Sequence, residues 1–255
     1  MSLRVFLTGA SSGLGEALAR HYAAGGARLG LVARRTDALK ALAASLPGDQ
    51  RTYPADVADS AALAEAAADF LRTVGVPDVV VANAGISVGT LTEHADDLPV
   101  LARVLRTNVV GVAATFQPFV APMREAGRGT LVGIASVAGI RGLPGAGAYC
   151  ASKAALIAYL ESLRVELRGS GVRVVTISPG YVATPMTAVN PYPMPFILRA
   201  DDAAARIARL IGRGASYAVV PWQMAIVGTL LRALPNALYD PLFARAGRKP
   251  RGLRI

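Results

Sequence analysis

Seven short apolar runs alternate with longer helical patterns along this chain, and this alternation limits its fold more than any other feature. The runs lie at residues 3–8, 27–33, 51–55, 78–83, 129–136, 172–179 and 217–221. Their nearly continuous apolar character predicts strands buried on both faces, as in parallel sheets covered by helices. Helices are predicted at residues 13–24, 36–46, 59–74, 96–124, 149–168 and 201–213. The sequence therefore predicts an α/β fold with a doubly wound, parallel, seven-stranded sheet in a three-layer αβα arrangement.

The composition is that of a chain able to bury a large core. Of its 255 residues, 53% are hydrophobic and 17% are charged, and no linker-like or charge-rich block divides it. We therefore expect a single domain over residues 1–255. The first residues lack a signal-peptide pattern, one cysteine cannot form an intrachain disulfide, and no uninterrupted apolar run approaches the ~20 residues that span a bilayer. A cytoplasmic location is the expectation.

The formal net charge of +10 raises the question of a polyanionic partner. Arginines are scattered through the predicted helices and become dense only at residues 245–255. They are not accompanied by a nucleic-acid-binding motif or by interleaved aromatic residues, so no nucleic-acid partner is expected. His21 and His94 have no partner at ligand spacing, so no metal site is expected either.

The segment TGASSGLG, residues 8–15, follows the first predicted strand and opens the first helix. In that context, backbone N–H groups and the helix dipole can hold a pyrophosphate. Gly9 would permit the tight turn, Gly13 the close approach of a ligand, and Gly15 the close packing of the helix. The alternative is a purely structural turn. The pattern favours a Rossmann-like nucleotide fold, whose ligands lie at the carboxyl ends of the strands.

Arg34 and Arg35 follow the second predicted strand, where many dinucleotide-binding folds carry an acidic residue for the ribose 2′-hydroxyl. A guanidinium can instead bind a phosphate through two parallel hydrogen bonds. We therefore expect NADP(H) to be preferred over NAD(H). Two solvated surface arginines are the alternative.

The segment YCASK places Tyr149 and Lys153 four positions apart in a predicted helix, so both side chains can face one cleft. The lysine stands out because the chain has only two others, Lys40 and Lys249. A free phenol has a pKa of about 10, and a nearby ammonium would favour its phenolate. Ser136 ends the fifth strand, where its hydroxyl could bind a substrate carbonyl. Taken singly, these residues could equally be a surface pair and a helix cap.

Together the motifs resemble the short-chain dehydrogenase/reductase family over about residues 3–221. The resemblance rests on TGASSGLG, ADV at 55–57, NAG at 83–85, Asn108 in TNVVG, Ser136, YCASK, and PG at 179–180 followed by Thr184. It implies that Tyr149 is the general acid/base, Ser136 orients the carbonyl, Lys153 lowers the tyrosine pKa, and Asn108 holds a relay water. The implied cofactor residues are Gly9, Ser11, Ser12, Gly13, Leu14, Gly15, Arg34, Arg35, Asp56, Val57, Asn83, Ala84, Gly85, Tyr149, Lys153, Pro179, Gly180, Val182 and Thr184.

The implied activity is NADP(H)-dependent interconversion of a ketone or aldehyde and an alcohol. We expect a carbonyl reductase that acts on an apolar or lipid-like substrate. The alternatives within the family are a 3-oxoacyl-carrier-protein-type reductase and an alcohol dehydrogenase. From other classes, a non-catalytic dinucleotide sensor and a membrane-surface module remain open. The resemblance also implies a homodimer or homotetramer formed through the predicted helices at 96–124 and 149–168.

Two segments depart from the alternation: a proline-spaced loop at about residues 184–200 and an apolar tail at about 222–255. In the loop, Met186, Tyr192 and Phe196 are expected to line the substrate pocket with Ser136. The tail predicts one or two helices broken near Pro235. Its role stays open between core packing or a dimer interface, a lid over the cleft, and interfacial membrane contact. Membrane contact would be helped by the positive charges of Arg245, Arg248, Lys249, Arg251 and Arg254.

Overall fold

The computed structural model describes residues 2–253, and within them a parallel sheet of seven strands forms the centre. The sheet contains β1 (Arg4–Thr8), β2 (Arg28–Ala33), β3 (Arg51–Pro54), β4 (Val79–Ala82), β5 (Gly129–Ile134), β6 (Val172–Pro179) and β9 (Tyr217–Val220). Two further short strands, β7 (Val182–Ala183) and β8 (Leu198–Arg199), pair with each other. The strand order is β3-β2-β1-β4-β5-β6-β9, so the chain crosses over between β3 and β4. The predicted doubly wound fold is confirmed.

Helices cover both faces of the sheet within the described residues. They are α1 (Gly13–Ala24), α2 (Thr36–Ser45), α3 (Ser60–Thr73), α4 (Asp97–Leu105), α5 (Gly111–Glu125), α6 (Gly147–Glu166), α7 (Pro185–Ala188), α8 (Ala200–Gly212), α9 (Trp222–Ala233) and α10 (Asn236–Phe243). Neighbouring residues of β1 enter opposite core clusters, because successive side chains of a strand point to opposite faces. Leu7 packs in the cluster with α1, α2 and α8, and Phe6 in the cluster with α3, α5 and α6.

The single helix predicted at 96–124 consists of α4, a π-helical turn at Arg106–Val110, and α5. The whole stretch, Asp97–Glu125, is long and apolar enough to cross a membrane by length and composition, which corrects the sequence expectation. Only 28% of its most apolar window is buried. On its inner face, Phe116, Phe119 and Met123 are fully buried in the core. The stretch is therefore a core helix with an exposed outer face.

The predicted break near Pro235 separates α9 from α10, and both helices pack on the segment that joins Ser136 to Tyr149. A Cβ on Gly228 of α9 would lie 2.5 Å from Cδ1 of Ile140. The Tyr239 ring stacks under the Arg141 guanidinium at 3.9 Å, and its hydroxyl donates to the Gly142 carbonyl at 2.5 Å. The tail thus braces a loop of the site, while Trp222, Ile226 and Leu230 remain exposed.

Candidate active site

A cleft of about 590 Å³ opens at the carboxyl ends of the central strands, within the size range of small-molecule sites. Its walls are formed by the segments that follow β1, β2, β3, β4, β5 and β6, which the parallel topology brings to one edge of the sheet. Every residue that the sequence assigned to the cofactor lies on these walls. Ser136 and Met186 lie there too, whereas Asn108 is buried behind the wall.

The glycines of the first loop allow close contacts with neighbouring segments that a side chain would prevent. Gly9 has a φ of 69°, and a Cβ there would lie 2.7 Å from the Cα of Ala84. A Cβ on Gly15 would overlap the carbonyl oxygen of Gly9. Gly13 has a φ of 58°, and its Cβ would lie 3.0 Å from Cγ2 of Thr184 on the opposite wall. Only glycine therefore suits these three positions.

The start of α1 is free to accept an anion. Within residues 2–253, no side chain caps this helix, since Ser12 at its N-cap makes no capping hydrogen bond. The first N–H groups of a helix have no partner inside the helix and carry its positive dipole end. They open into the cleft beside Gly13 and Leu14. The loop and the helix therefore fit the pyrophosphate of a dinucleotide.

Asn83 ties the end of β4 to this loop. Its Nδ2 donates to the carbonyls of Thr8 (3.1 Å) and Gly9 (3.3 Å). The hydroxyl of Thr8 in turn accepts from the backbone N–H groups of Asn83 and Ala84, both at 3.2 Å. Asn83 lines the cleft, as expected of a cofactor residue, and its amide also holds the shape of the glycine loop.

Arg34 and Arg35 place positive charge at the end of β2. Arg35 reaches over the glycine loop and donates from Nη2 to the carbonyl (3.0 Å) and hydroxyl (3.3 Å) of Ser11. Arg34 lies 3.8 Å from Oδ2 of Asp56, and both side chains are about half exposed. Both guanidiniums line the cleft and remain accessible to a ligand.

Helix α6 directs Tyr149 and Lys153 toward the cleft, one turn apart. Lys153 is only 4% exposed, and its Nζ donates to the carbonyl of Ile134 at 2.7 Å. The ammonium lies 5.8 Å from the centre of the Tyr149 ring. Across from them, Ser136 begins a 3-10 turn, and its Oγ accepts from the N–H of Ala138 at 3.1 Å. The three side chains share one end of the cleft.

The pKa values of this group differ from the expectation that Lys153 lowers that of Tyr149. Desolvation by burial raises the pKa of the Tyr149 phenol, and the nearby Ser136 hydroxyl acts in the opposite direction. Burial also lowers the pKa of Lys153 to about 8. The physical reason is that low-polarity surroundings disfavour both charged forms, while the ammonium donates to the carbonyl of Ile134.

Asn108 lies in the π-helical turn and is fully buried. Its Oδ1 accepts from the N–H of Ile86 at 2.8 Å, and its Nδ2 donates to the carbonyl of Ile86 (2.9 Å) and the hydroxyl of Ser152 (3.0 Å). π-helical turns often occur at functional sites. This one links the loop after β4 to the face of α6 next to Lys153.

Of the three residues expected from the substrate loop, only Met186 lines the cleft. Phe196 is 50% exposed, because the chain reverses there in a left-handed conformation (φ 56°) before it pairs as β8. Tyr192 packs against Gly247, where an added Cβ would lie 2.7 Å from its own Cβ. Neither Phe196 nor Tyr192 is among the residues that line this cleft, and their place in the substrate pocket stays a prediction.

Several wall residues have no sequence motif to reveal them. They are mostly apolar and include Ile86, Ser87, Thr107, Ile134, Val189 and Leu253. Leu253 comes from the far end of the described chain, in the tail whose role the sequence left open between core packing or a dimer interface, a lid and membrane contact. The signal that could have drawn attention to this tail is its lysine, a rare residue in an arginine-rich chain. Among residues 2–253, no group of three or more His, Cys, Asp or Glu side chains could hold a metal ion.

Comparisons with known proteins agree with this geometry. The family model described as short chain dehydrogenase matches residues 4–192. An uncharacterized oxidoreductase from Myxococcus xanthus is 42% identical over 246 residues, which cover 94% of this chain and 96% of the relative. Among solved structures, an alcohol dehydrogenase from Thermococcus sibiricus complexed with 5-hydroxy-NADP has a TM-score of 0.76 at 27% identity, covering 86% of this chain and 95% of that one. A 3-ketoacyl-(acyl-carrier-protein) reductase from Brucella melitensis complexed with NADH has a TM-score of 0.79 at 26% identity, covering 86% and 96%.

The fold and the cleft define a dinucleotide-binding oxidoreductase. More narrowly, the chain belongs to the short-chain dehydrogenase/reductase family, because the family model spans well over half of it and a close relative covers nearly all of it. It is accordingly an enzyme that acts on the CH–OH group of its donors, with a nicotinamide dinucleotide as cofactor. The two solved relatives carry different dinucleotides, one NADP-like and one NADH, so the comparisons leave the choice between them open.

Proposed function

We propose that this enzyme is an NADP(H)-dependent carbonyl reductase that acts on an apolar ketone or aldehyde. The observation that carries the reaction type is the convergence of Ser136, Tyr149 and Lys153 at one end of the cleft, with the glycine loop along its length. The cofactor preference is supported by Arg34 and Arg35 on the wall after β2, because guanidiniums suit a 2′-phosphate.

The bound cofactor would supply the hydride, and the chain would supply its position. The glycine loop and the start of α1 would hold the pyrophosphate, and Asp56 and Val57 would lie along the adenine end. Pro179, Gly180, Val182 and Thr184 would border the nicotinamide, beside Tyr149. This arrangement places the reacting end of the cleft next to the phenol and the serine hydroxyl.

Tyr149 suits the role of proton donor in the reductive direction. Because burial raises its pKa, the phenol is protonated near neutral pH and its O–H can be donated to the oxygen of the substrate carbonyl. The hydroxyl of Ser136 can donate a second hydrogen bond to the same oxygen, where negative charge develops. Reduction of a carbonyl needs this protonation state, and oxidation of an alcohol needs the opposite one.

Lys153 and Asn108 can return a proton to Tyr149. With a pKa of about 8, the Lys153 ammonium is close enough to neutrality to release a proton and take it back. Both N–H groups of the Asn108 amide are engaged, and its Oδ1 accepts one bond, which leaves an acceptor site for a water. These residues form the inner end of a proton path toward Lys153.

The substrate end of the cleft is mostly apolar. Ile86, Met186, Val189 and Leu253 contribute side chains there, beside the polar Ser87 and Thr187. An apolar wall favours a substrate by roughly 0.8 kcal/mol for each buried CH₂ group. We therefore expect catalytic efficiency to rise with the length of an apolar chain until the cavity is full.

A nucleotide-coupled screen over ketones and aldehydes of graded chain length tests the proposal. NADPH oxidation is followed at 340 nm, and each carbonyl is also tested with NADH. The proposal expects kcat/KM to increase about 4-fold per added CH₂ over the first members of the series. A flat response to chain length would contradict the apolar pocket, and no turnover with any carbonyl would contradict the reductase.

A further inference from the structure

The last described residues of the chain, 245–253, fold back over the substrate end of the cleft and are called the C-terminal strap below. Lys249 lies in the middle of the strap and is only 8% exposed, although its neighbours Arg245 and Arg248 are exposed. A buried lysine is costly unless its ammonium is well bonded, so its position calls for an explanation.

The Lys249 ammonium bridges two elements of the cleft wall. Its Nζ donates to Oγ of Ser87 at 3.1 Å and to the carbonyl of Met186 at 2.9 Å. Ser87 follows β4, whereas Met186 belongs to α7 in the substrate loop, and both line the cleft. One side chain of the strap therefore connects the fixed sheet edge to the loop beside the substrate.

Three further contacts hold the strap at Lys249 and at the two residues after it. The N–H of Gly89 donates to the carbonyl of Pro250 at 2.9 Å, and a Cβ on Gly89 would overlap the carbonyl of Lys249. Nε of Arg251 donates to Oδ2 of the buried Asp97 at 2.7 Å. These bonds join the strap to the loop after β4 and to the start of α4, so it is bound along its length.

The strap also contributes apolar surface to the cavity. Leu253 packs on the small core cluster of Ile86, Val88, Val104 and Ala148, and it lines the cleft next to Ile86. Upstream, Gly247 packs against Tyr192 of the substrate loop. The strap thus contacts the sheet edge, the substrate loop and the cavity itself.

We propose that the C-terminal strap is the outer wall of the substrate cavity and that Lys249 is the positioning residue that fixes α7 against it, which sets the size of substrate the enzyme accepts. This inference rests on the proposed reductase function. Lys249 does not line the cleft, so it acts through Ser87, Met186 and Leu253 rather than by touching the substrate.

The residue type fits this role. An ammonium offers three donors, and two of them meet acceptors on different elements, which an apolar side chain of similar length cannot do. Burial lowers the pKa of Lys249 to about 8, which leaves it largely protonated at neutral pH. The bridge is therefore present under ordinary assay conditions.

Lys249→Met tests the proposal, with Arg245→Met as the matched control. Both changes remove one positive charge from the strap, but Arg245 is exposed, whereas Lys249 is buried in the bridge. In the graded ketone series, Lys249→Met is expected to raise KM for the longest substrates about 10-fold, as for the loss of one well-placed contact. For the shortest substrates kcat is expected to stay within about 2-fold of the parent, because the proton-transfer groups are untouched. Arg245→Met is expected to behave as the parent.

A second measurement does not depend on activity. Hydrogen–deuterium exchange reports on the N–H of Gly89, which the strap protects through Pro250. Exchange at Gly89 and in peptides covering residues 184–190 is expected to become at least about 10-fold faster in Lys249→Met and to stay unchanged in Arg245→Met. Ser87→Ala removes one of the two acceptors of the Lys249 ammonium and is expected to give a smaller increase in exchange rate. It replaces Lys249→Met in this experiment if that variant does not fold.

The two proposals can fail separately. If the parent reduces carbonyls but Lys249→Met keeps both its chain-length profile and its exchange rates, the strap proposal is wrong and the reductase stands. If the parent reduces no carbonyl, the reductase proposal is wrong, and exchange alone decides whether Lys249 holds the strap. If Arg245→Met alters KM and exchange as much as Lys249→Met does, the loss of charge explains both results. The proposal that Lys249 bridges two elements is then wrong as well.

Discussion

Lys153 donates to the carbonyl of Ile134 at 2.7 Å, while its ammonium stays 5.8 Å from the centre of the Tyr149 ring. The lysine is thus anchored to the end of β5 rather than to the phenol one helical turn away. Because burial raises the pKa of Tyr149, the phenol is set to donate a proton, and Lys153 stands behind it as a group that titrates near pH 8.

Tyr149→Phe removes the proposed proton donor and retains the ring. We expect kcat for carbonyl reduction to fall about 100-fold or more, because a positioned general acid contributes roughly 10²–10⁴ in rate. Nucleotide affinity, measured by titration calorimetry, is expected to change little. Tyr159→Phe, ten residues further along α6, is the matched control. Full activity in Tyr149→Phe would remove Tyr149 from the mechanism.

The buried ammonium of Lys153 makes a prediction about stability and pH. Its pKa is about 8 in the folded protein against a reference of 10.5, so between these values the unfolded state binds more protons. The free energy of unfolding should therefore rise with pH in this window, by up to about 1.4 kcal/mol per pH unit from Lys153 alone. Lys249 adds a rise of the same sign, since its pKa is also lowered to about 8.

Urea denaturation at pH 7.5, 8.5 and 9.5 measures this effect. Below pH 8, Lys153→Met should lose less stability than the removal of a buried side chain would otherwise cost, because no ammonium remains to be buried. Above pH 8, its free energy of unfolding should rise less steeply with pH than that of the parent. The exposed Lys40, changed to Met in the same way, is the control. A slope in Lys153→Met equal to that of the parent would show that Lys153 keeps an ordinary pKa.

The sheet could be predicted closely because its strands are buried on both faces. Phe6 and Leu7 are adjacent and fully buried in different clusters, and such strands are continuous apolar runs that end at polar or turn residues. The π-helical turn around Asn108 could not be predicted, since one extra residue in a turn leaves no clear mark in the sequence. The paired strands β7 and β8 have two residues each, too few to show a period.

The glycine loop and the Tyr149–Lys153 pair could be predicted because their spacing is local. The strap could not, because its contacts join residues far apart in the chain, such as Lys249 and Ser87. Its positive charges left membrane contact open as one of its roles, yet Lys249 is buried and Arg251 is paired with Asp97. Two of the charges proposed for membrane contact are thus engaged internally, and Arg254 lies outside the described residues.

Arg34→Asp tests the cofactor preference. Arg34 lies on the cleft wall and is half exposed, so it can turn from Asp56 toward a 2′-phosphate. We expect KM for NADPH to rise about 10-fold or more, the equivalent of one charge-assisted phosphate contact, and KM for NADH to change much less. Arg168→Asp makes the same change in charge between α6 and β6, at the opposite edge of the sheet. Equal effects on both nucleotides would reject the role of Arg34.

The exposed faces of α4 and α6 make a prediction about assembly. On one side of this surface, Leu98 is 69% exposed and Val110 57%, and on the other side Val165 is 60% exposed. Helix α6 adds four exposed small residues, Ala151, Ala154, Ala155 and Ala158. Since an apolar face of this extent marks a contact surface, we expect it to pair with a second copy of the chain.

Ala155→Glu introduces a charge at the centre of this face without disturbing the helix, because glutamate is a good helix former. Sedimentation velocity is expected to show a dimer or tetramer for the parent and a shift toward monomer for Ala155→Glu. Ala237→Glu, at an exposed position of α10, should leave the assembly unchanged. If the parent is already a monomer at micromolar concentration, or if Ala155→Glu sediments as the parent does, this face does not join two copies. The outer side of α4 to α6 would then need another partner to explain its exposed apolar residues.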